Sequence, residues 1–378
     1  MINEKTTDTK SEFAVGGATF SFMGLGLIGG SIAKGARTVA PDLTIKALEP
    51  DSASLQPAME EGVVNQGFTE PEDAFFDCDV LFLCAPVSVN EKFLRENADR
   101  IQEKTLITDV GSVKSTTVKT VRECGLSSRF IGGHPMAGSE KTGFKSANAQ
   151  LLENAYYLLT PTEDFPEDKT HTFSAFIERI GAIPLIMTPQ KHDQITGGIS
   201  HLPHVISASL VNFVKEHDEE DGLMKLVAAG GFKDITRISS SSPAMWQSIC
   251  MTNTPVIENM LADYISSLSA FQDVLKQRDP EKLYDFFSRA KDYRDSFQAA
   301  DRGPIKKISD LYVDIPDVPG SIAQTSTILA LHGLSIKNIG IMNSREFQEG
   351  ALRIEFYDDS SVEKAAALLK DHGYKIFR

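Results

Sequence analysis

Positive charge is scarce in this sequence. Its 378 residues carry 38 Lys and Arg against 52 Asp and Glu, a formal net charge of −14. That balance argues against nucleic acid as a partner, and it means that an anionic ligand needs a local cluster of positive charge. Cysteine is scarcer still. Cys78, Cys84, Cys124 and Cys250 stand apart with no CxxC spacing, which argues against a disulfide framework or a structural zinc site. No apolar run approaches the roughly 18 residues that cross a bilayer, so no membrane partner is expected. The opening MINEKTTDTKSEF is polar and lacks the apolar stretch of a signal peptide. It predicts a disordered tail over residues 1–15 and a cytoplasmic protein. What is present, 41% hydrophobic and 24% charged residues, is the make-up of ordinary globular domains with cores of their own.

The chain changes pattern twice. Over residues 16–187 short apolar runs alternate with helical patterns: ATFSFM, LTIKAL, DVLFLCA, TLITDV, RFIGG, AYYLLT and AIPLIM are the strand candidates. This alternation predicts an α/β unit with a mostly parallel, Rossmann-type sheet covered on both faces. Over residues 188–303 the strand signal disappears, and HVISASLVNFVKEH and TPVIENMLADYISSLSAFQDVLKQ predict an all-helical middle domain. Over residues 304–378, ISDLYVDIP, a helix from Pro319, LSIKNIGIM, ALRIEFYDD, a helix from Ser361 and YKIFR give β-α-β-β-α-β, a ferredoxin-like order.

The first strand runs into GLGLIG, Gly24 to Gly29, with Leu27 and Ile28 between the second and third glycines. A GxGxxG string alone is weak. Here it sits between a strand and a helix, and the next strand ends at Glu49. The glycines permit a tight turn and close approach of a pyrophosphate to a helix N-terminus, and Glu49 can accept from ribose hydroxyls. NAD is therefore the expected cofactor, since the 2′-phosphate of NADP would meet the charge of Glu49. Lys46, two strand positions from Leu48, is expected to point away. Ala85 and Pro86, closing the DVLFLCA strand, and Asp109 and Ser112, closing TLITDV, are further expected cofactor contacts at the carboxyl edge of the sheet.

The stretch IGGHPMAG holds His134 between glycines and a proline at that same edge. An imidazole there can take a proton from a hydroxyl while hydride leaves the same carbon. Ser112 either shares that hydrogen bond or caps the following helix. His201 and His204 in SHLPH, three apart, can share a helix face; no cysteine or carboxylate cluster completes a metal site around them, and none is expected. His201 can equally hold a backbone group. Arg237 in GGFKDITR can grip a carboxylate with two hydrogen bonds, which a lysine cannot. Trp246 reads as a core residue.

Taken together, GLGLIGGS, DVGSVK, GGHPMAGSEKTG, SHLPH and GGFKDITRI with a nearby MW resemble prephenate dehydrogenases of tyrosine biosynthesis, over about residues 18 to 300. The tail resembles an ACT domain, a small amino-acid-sensing module. The resemblance implies NAD-dependent oxidative decarboxylation of prephenate to 4-hydroxyphenylpyruvate by a homodimer. It implies that His134 contacts the ring hydroxyl with Ser112 beside it, that His204 lies in the substrate pocket with His201 associated, and that Arg237 holds a carboxylate. Lys233, Asp234 and Glu140 match positions that organise the pocket. In the ACT-like tail, Asp317, Pro319, Gly320 and Asn338 match an amino-acid site, with L-tyrosine the expected ligand. Arogenate, which carries an amine where prephenate has a ketone, stays open as substrate. So do another NAD-linked hydroxyacid dehydrogenase and a nonenzymatic sensor.

Overall fold

A computed structural model describes residues 17–138, 141–300, 309–316, 318–342 and 351–377. They fall into two compact units that divide between Ala270 and Phe271.

In the first unit, β1 (Thr19–Met23), α1 (Leu27–Val39), β2 (Thr44–Leu48), α2 (Ser52–Glu60), β3 (Gln66–Phe68), α3 (Asp73–Phe76), β4 (Val80–Leu83), α4 (Val87–Asn97), β5 (Leu106–Asp109), α5 (Ser115–Glu123), β6 (Phe130–Pro135), β7 (Tyr156–Pro161), α6 (Glu167–Arg179) and β8 (Ile183–Ile186) alternate. The strands form one sheet in the order β3-β2-β1-β4-β5-β6-β7-β8. Every pairing is parallel except β6 with β7, where His134 lies opposite Leu158. All seven apolar runs are strands. β3 is an addition to them: its QGF carries a single large apolar side chain, so no run announces it, and pairing with Lys46 to Leu48 makes it a strand.

Side chains alternate across the sheet, and each face has its own core. Phe20, Phe22 and Phe82 join Ile32, Ala33, Phe173 and Phe176 on one face. Leu81, Leu83 and Ile107 join Phe75, Phe93, Val118 and Val121 on the other. Phe22 and Phe82 stack at 4.6 Å. Each such ring contributes about 1.5–3 kcal/mol by leaving water. Ser21, a buried polar side chain in β1, is satisfied by donating to the Phe75 carbonyl at 2.7 Å. Lys46 likewise points away from the sheet's carboxyl edge, with its ammonium on the carbonyls of Ala74 and Asp77, both at 2.7 Å.

The unit continues with helices: α7 (Pro189–Thr196), a π-helical turn (Gly197–His201), α8 (Leu202–His217), α9 (Leu223–Val227), α10 (Gly230–Thr236), α11 (Pro243–Thr252) and the first part of α12 (Thr254–Gln277). α7, the π turn and α8 are one continuous helix. Pro203 has no N–H, so the ordinary ladder cannot run through it. The chain widens instead, and the Leu202 N–H reaches back to the Gly197 carbonyl. A Cβ on Gly197 would lie 2.6 Å from Val256 of α12, so glycine lets the two helices meet at the widened turn.

The second unit holds the end of α12, α13 (Pro280–Ala300), then β9 (Ser309–Asp314), α14 (Ser321–Leu331), β10 (Ile336–Met342), β11 (Ala351–Phe356), α15 (Asp359–Asp371) and β12 (Lys375–Phe377). Its four strands pair antiparallel in the order β10-β11-β9-β12. Leu311, Val313, Leu352 and Ile354 pack with Leu329, Ala365 and Leu369 in its core. The alternate strand positions are polar: Arg353 pairs with Asp310 at 2.8 Å and Lys337 with Glu355 at 2.6 Å. Among the described residues no helix is long and apolar enough to cross a membrane.

Candidate active site

Parallel pairing brings the carboxyl ends of β1, β4, β5 and β6 to one edge of the sheet, and the polar groups picked out by sequence gather there. Gly24 sits at φ +89°, and a Cβ there would press on the Ala85 nitrogen at 3.0 Å. A Cβ on Gly29 would lie 2.6 Å from the Gly24 carbonyl and 2.9 Å from Cys84. Those two glycines are needed by the fold. Gly26, at the N-cap of α1, has nothing within 4 Å of its Cβ position. It opens the helix N-terminus to a ligand, as a pyrophosphate requires. Glu49 stands just beyond β2, where its carboxylate accepts from the Leu25 N–H at 3.1 Å and faces the loop. The Ala85–Pro86 turn is pinned by Asn90, which accepts from the Ala85 N–H at 3.2 Å and donates to the Leu83 carbonyl at 3.1 Å.

β6 runs through His134 to Pro135, so the histidine lies within the strand rather than beyond its end, held there by the antiparallel pairing with β7. It is half-buried. Its Nδ1 lies 2.8 Å from Nε2 of His192, whose Nδ1 lies 2.8 Å from Oδ1 of Asp193. Burial, with the like charges of His192, Lys114 and His201 adding to it, pushes the His134 imidazole well below its ordinary value. His134 is therefore a neutral ring able to accept a proton.

Asp193 also closes the start of α5. Its carboxylate accepts from the backbone N–H groups of Lys114 and Ser115, each at 2.8 Å. The helix begins at Ser115, with Lys114 in the capping position and no side-chain cap of its own. The alternative reading of Ser112 as the cap is thus corrected: Asp193 does that work from α7, and Ser112 stands half-buried in the loop above. The side chains of Asp109 and Lys114 are fully buried against each other. Asp109 also accepts from Gly133 at 3.1 Å and Gly111 at 3.0 Å, and Lys114 donates to the Gly133 carbonyl at 2.7 Å. The Asp109 carboxylate is thus occupied in bracing the His134 strand. As a cofactor contact through its side chain, Asp109 is misplaced.

His201 and His204 do turn toward one neighbour, Trp246. The ring of His204 stacks on it at 3.8 Å, and His201 meets it edge-on at 6.1 Å. Trp246 is half-buried and walls a groove of about 780 Å³ with His204, Ala208, Phe213, Ile238 and Pro243, so the expectation of a core residue is corrected. It lies in α11, on the face that borders this groove. His201 is buried. Asn253 donates to its Nδ1 at 3.0 Å while also bonding the Asp193 carbonyl, and His201 Nε2 is buried without a hydrogen-bond partner among the described residues. Burial brings its pKa down to about 4. His204 bonds the Ser200 carbonyl through Nδ1 at 2.8 Å. Its pKa is lowered by burial and by nearby Arg237, with the Ser200 bond opposing. Arg237 follows α10 and is exposed, as are Lys233 and Asp234. In the second unit, Gly320 caps α14 at φ +98° and Asn338 is exposed on β10 at an irregularity in its pairing. Glu140 and Asp317 lie outside the described residues.

Four residues of this arrangement carried no signal that the sequence reading used. Lys114 ends the DVGSVK motif, and an Asp and a Lys flanking one strand-end turn are a usable sign of a buried pair. His192 and Asp193 lie in the middle of α7, PQKHDQIT. Asn253 has no local signature, because its partners are 60 and 52 residues away.

Comparison with known proteins gives one consistent result. Residues 32–185 match the family model described as prephenate dehydrogenase, nucleotide-binding domain, and residues 188–289 the model described as prephenate dehydrogenase, dimerization domain. A prephenate dehydrogenase of Bacillus subtilis (strain 168) is 38% identical over 350 residues, 92% of this chain and 94% of that protein. The crystal structure of prephenate dehydrogenase from A. aeolicus in complex with hydroxyphenyl propionate and NAD⁺ superposes with a TM-score of 0.70 at 28% identity. It covers 74% of this chain and 98% of that one. Synechocystis arogenate dehydrogenase superposes with a TM-score of 0.66 at 26% identity, over 74% of this chain and 99% of that one.

Proposed function

The chain belongs to the prephenate dehydrogenase family, and from that premise we propose how its own residues carry out the NAD-dependent oxidative decarboxylation of prephenate to 4-hydroxyphenylpyruvate. His134 is the base. The single observation that carries this is its place: a neutral imidazole at the same carboxyl edge of the sheet as the glycine loop that follows β1. It takes the proton of the ring hydroxyl, and loss of carbon dioxide then follows from aromatisation.

NAD⁺ supplies the hydride acceptor when bound. The Gly24–Gly29 turn and the open α1 N-terminus at Gly26 fit its pyrophosphate. Glu49 fits the adenosine ribose and disfavours a 2′-phosphate. Ala85 and Pro86 border the same edge, while Asp109 supports it from behind. Ser112 orients the base or the hydroxyl. Arg237 binds a substrate carboxylate by charge-assisted hydrogen bonds, with His204, and His201 with its unpartnered Nε2, lining the pocket. Lys233, Asp234 and Glu140 are assigned to substrate binding in a homodimer. The dimerization-domain match supports that assembly, as do apolar side chains such as Leu226 and Val227, 76% and 71% exposed in the single chain. Residues 304–378 form a ferredoxin-like ACT domain that takes L-tyrosine at the Pro319–Gly320 turn with Asp317 and Asn338.

The test is NADH formation with prephenate and with arogenate, for wild type and His134→Asn. The variant should lose about 10²-fold or more in kcat, the scale of general base catalysis, with NAD binding little changed. Near wild-type turnover would sink the assignment. Preference for arogenate would move the substrate while leaving the base in place.

A further inference from the structure

We propose that His192 and Asp193 are positioning residues that hold His134 in the one tautomer able to accept the substrate's proton. The inference rests on the reading of His134 as the base.

The argument follows the hydrogens. The Asp193 carboxylate is an acceptor on both sides. Oδ1 takes the Lys114 N–H and Oδ2 the Ser115 N–H, so neither oxygen is free to turn. Oδ1 also lies 2.8 Å from His192 Nδ1, which must then carry its hydrogen. A neutral imidazole has a single N–H, so His192 Nε2 is left with a lone pair. That lone pair lies 2.8 Å from His134 Nδ1. Two lone pairs cannot share such a distance, so His134 Nδ1 carries the hydrogen and donates it to His192. His134 Nε2 is thereby the bare nitrogen. His192 has no exposed surface, and each of its nitrogens has a partner.

The proton step then balances simply. The O–H bond of the ring hydroxyl breaks, its electron pair becomes the second bond of the new carbonyl, and hydride passes to NAD⁺. The proton forms an N–H bond at His134 Nε2. His134 is now an imidazolium whose Nδ1–H still points at His192 Nε2, with the Asp193 carboxylate behind it to offset the positive charge. Neither positioning residue touches the substrate. Asp193 also fixes the backbone at Lys114 and Ser115, so one carboxylate sets both the tautomer of the base and the start of the helix next to Ser112.

Two substitutions of His192 separate this role from packing. Gln keeps an acceptor oxygen for the His134 N–H, whereas Phe keeps the ring bulk and removes the acceptor. If the tautomer matters, His192→Gln should stay within about tenfold of wild-type kcat and His192→Phe should lose about 10²-fold or more, both with nearly unchanged KM for prephenate and NAD. A packing role gives the reverse order, and Phe equal to or better than Gln overturns the proposal. Melting temperatures and NAD binding for each variant show whether the fold is intact. Should His192→Phe fail to fold, Asp193→Asn decides the matter. Its amide can offer a hydrogen where the carboxylate accepts, so kcat should fall at least tenfold with KM retained, and wild-type kcat overturns the proposal. His134→Asn runs alongside. If it keeps its turnover, the base reading fails and this one with it; if it is inactive while Gln and Phe at 192 are equal, only the positioning role fails.

Discussion

Burial decides the protonation state of the imidazoles around the site. His201 is 1% exposed, and its pKa falls from 6.5 to about 4 because the charged ring would lose its water. The sign of the consequence is fixed. Between those two values the unfolded chain binds a proton that the folded chain does not. The stabilisation is therefore complete above about pH 6.5 and is lost as the pH falls toward 4. At 1.36 kcal/mol per unit, the loss over that window approaches about 3 kcal/mol. His134 and His192, both lowered chiefly by burial, act in the same direction. Replacing His201 with Gln should flatten the slope of unfolding free energy against pH below 6.5, measured by denaturant titration at several pH values. An unchanged slope would show that the ring charges without penalty in the folded protein. None of this was visible in SHLPH, where spacing alone suggested a shared face. The face is shared toward Trp246, but the burial of His201 comes from Asn253 and the π turn, which only the folded chain brings together.

At the scale of elements, legibility followed burial on both faces. The central strands TFSFM, VLFL and LITD are mostly apolar because helices cover both sides of the sheet, and such runs are easy to read. β3 was not legible because an edge strand of three residues has little to bury. The π turn was not legible because it arises from Pro203 and from the approach of α12 to Gly197, one local cause and one distant. The glycine loop was legible as a string, but its glycines differ in kind, and the difference is testable. Gly29→Ala forces a methyl against the Gly24 carbonyl and Cys84 at under 3 Å, where backbone must shift. It should lower the melting temperature and impair NAD binding together. Gly26→Ala meets no protein atom and keeps an ordinary helical-entry φ of −75°. It should leave the melting temperature unchanged and raise KM for NAD alone, because the methyl lies where the pyrophosphate must approach. A matching loss of stability in both variants would mean that the open space at Gly26 is not the cofactor's.

At the scale of the whole molecule, the question is what the second unit adds. None of the residues proposed for the reaction lies in its βαββαβ segment. Its sequence is organised about a turn instead. Gly320 at φ +98° opens α14 and has no side chain with which to cap it, which suits a ligand carboxylate there, and Asn338 is exposed on β10. If tyrosine binds this module and inhibits, it must favour one state of the enzyme over another. The inhibition is then bounded by that difference, typically about 1–3 kcal/mol, or roughly 5- to 150-fold in affinity. A chain ending at Gly303 retains the sheet, the helices and every residue proposed for the reaction. It should turn over prephenate near the full-length rate and ignore tyrosine at concentrations that inhibit the intact enzyme. Initial rates for both proteins across a tyrosine series, at fixed prephenate and NAD, give the answer. Persistent inhibition in the shortened chain that rising prephenate relieves would assign tyrosine to the substrate pocket, as a product-like competitor for Arg237 and His204. The C-terminal module would then have no part in sensing it.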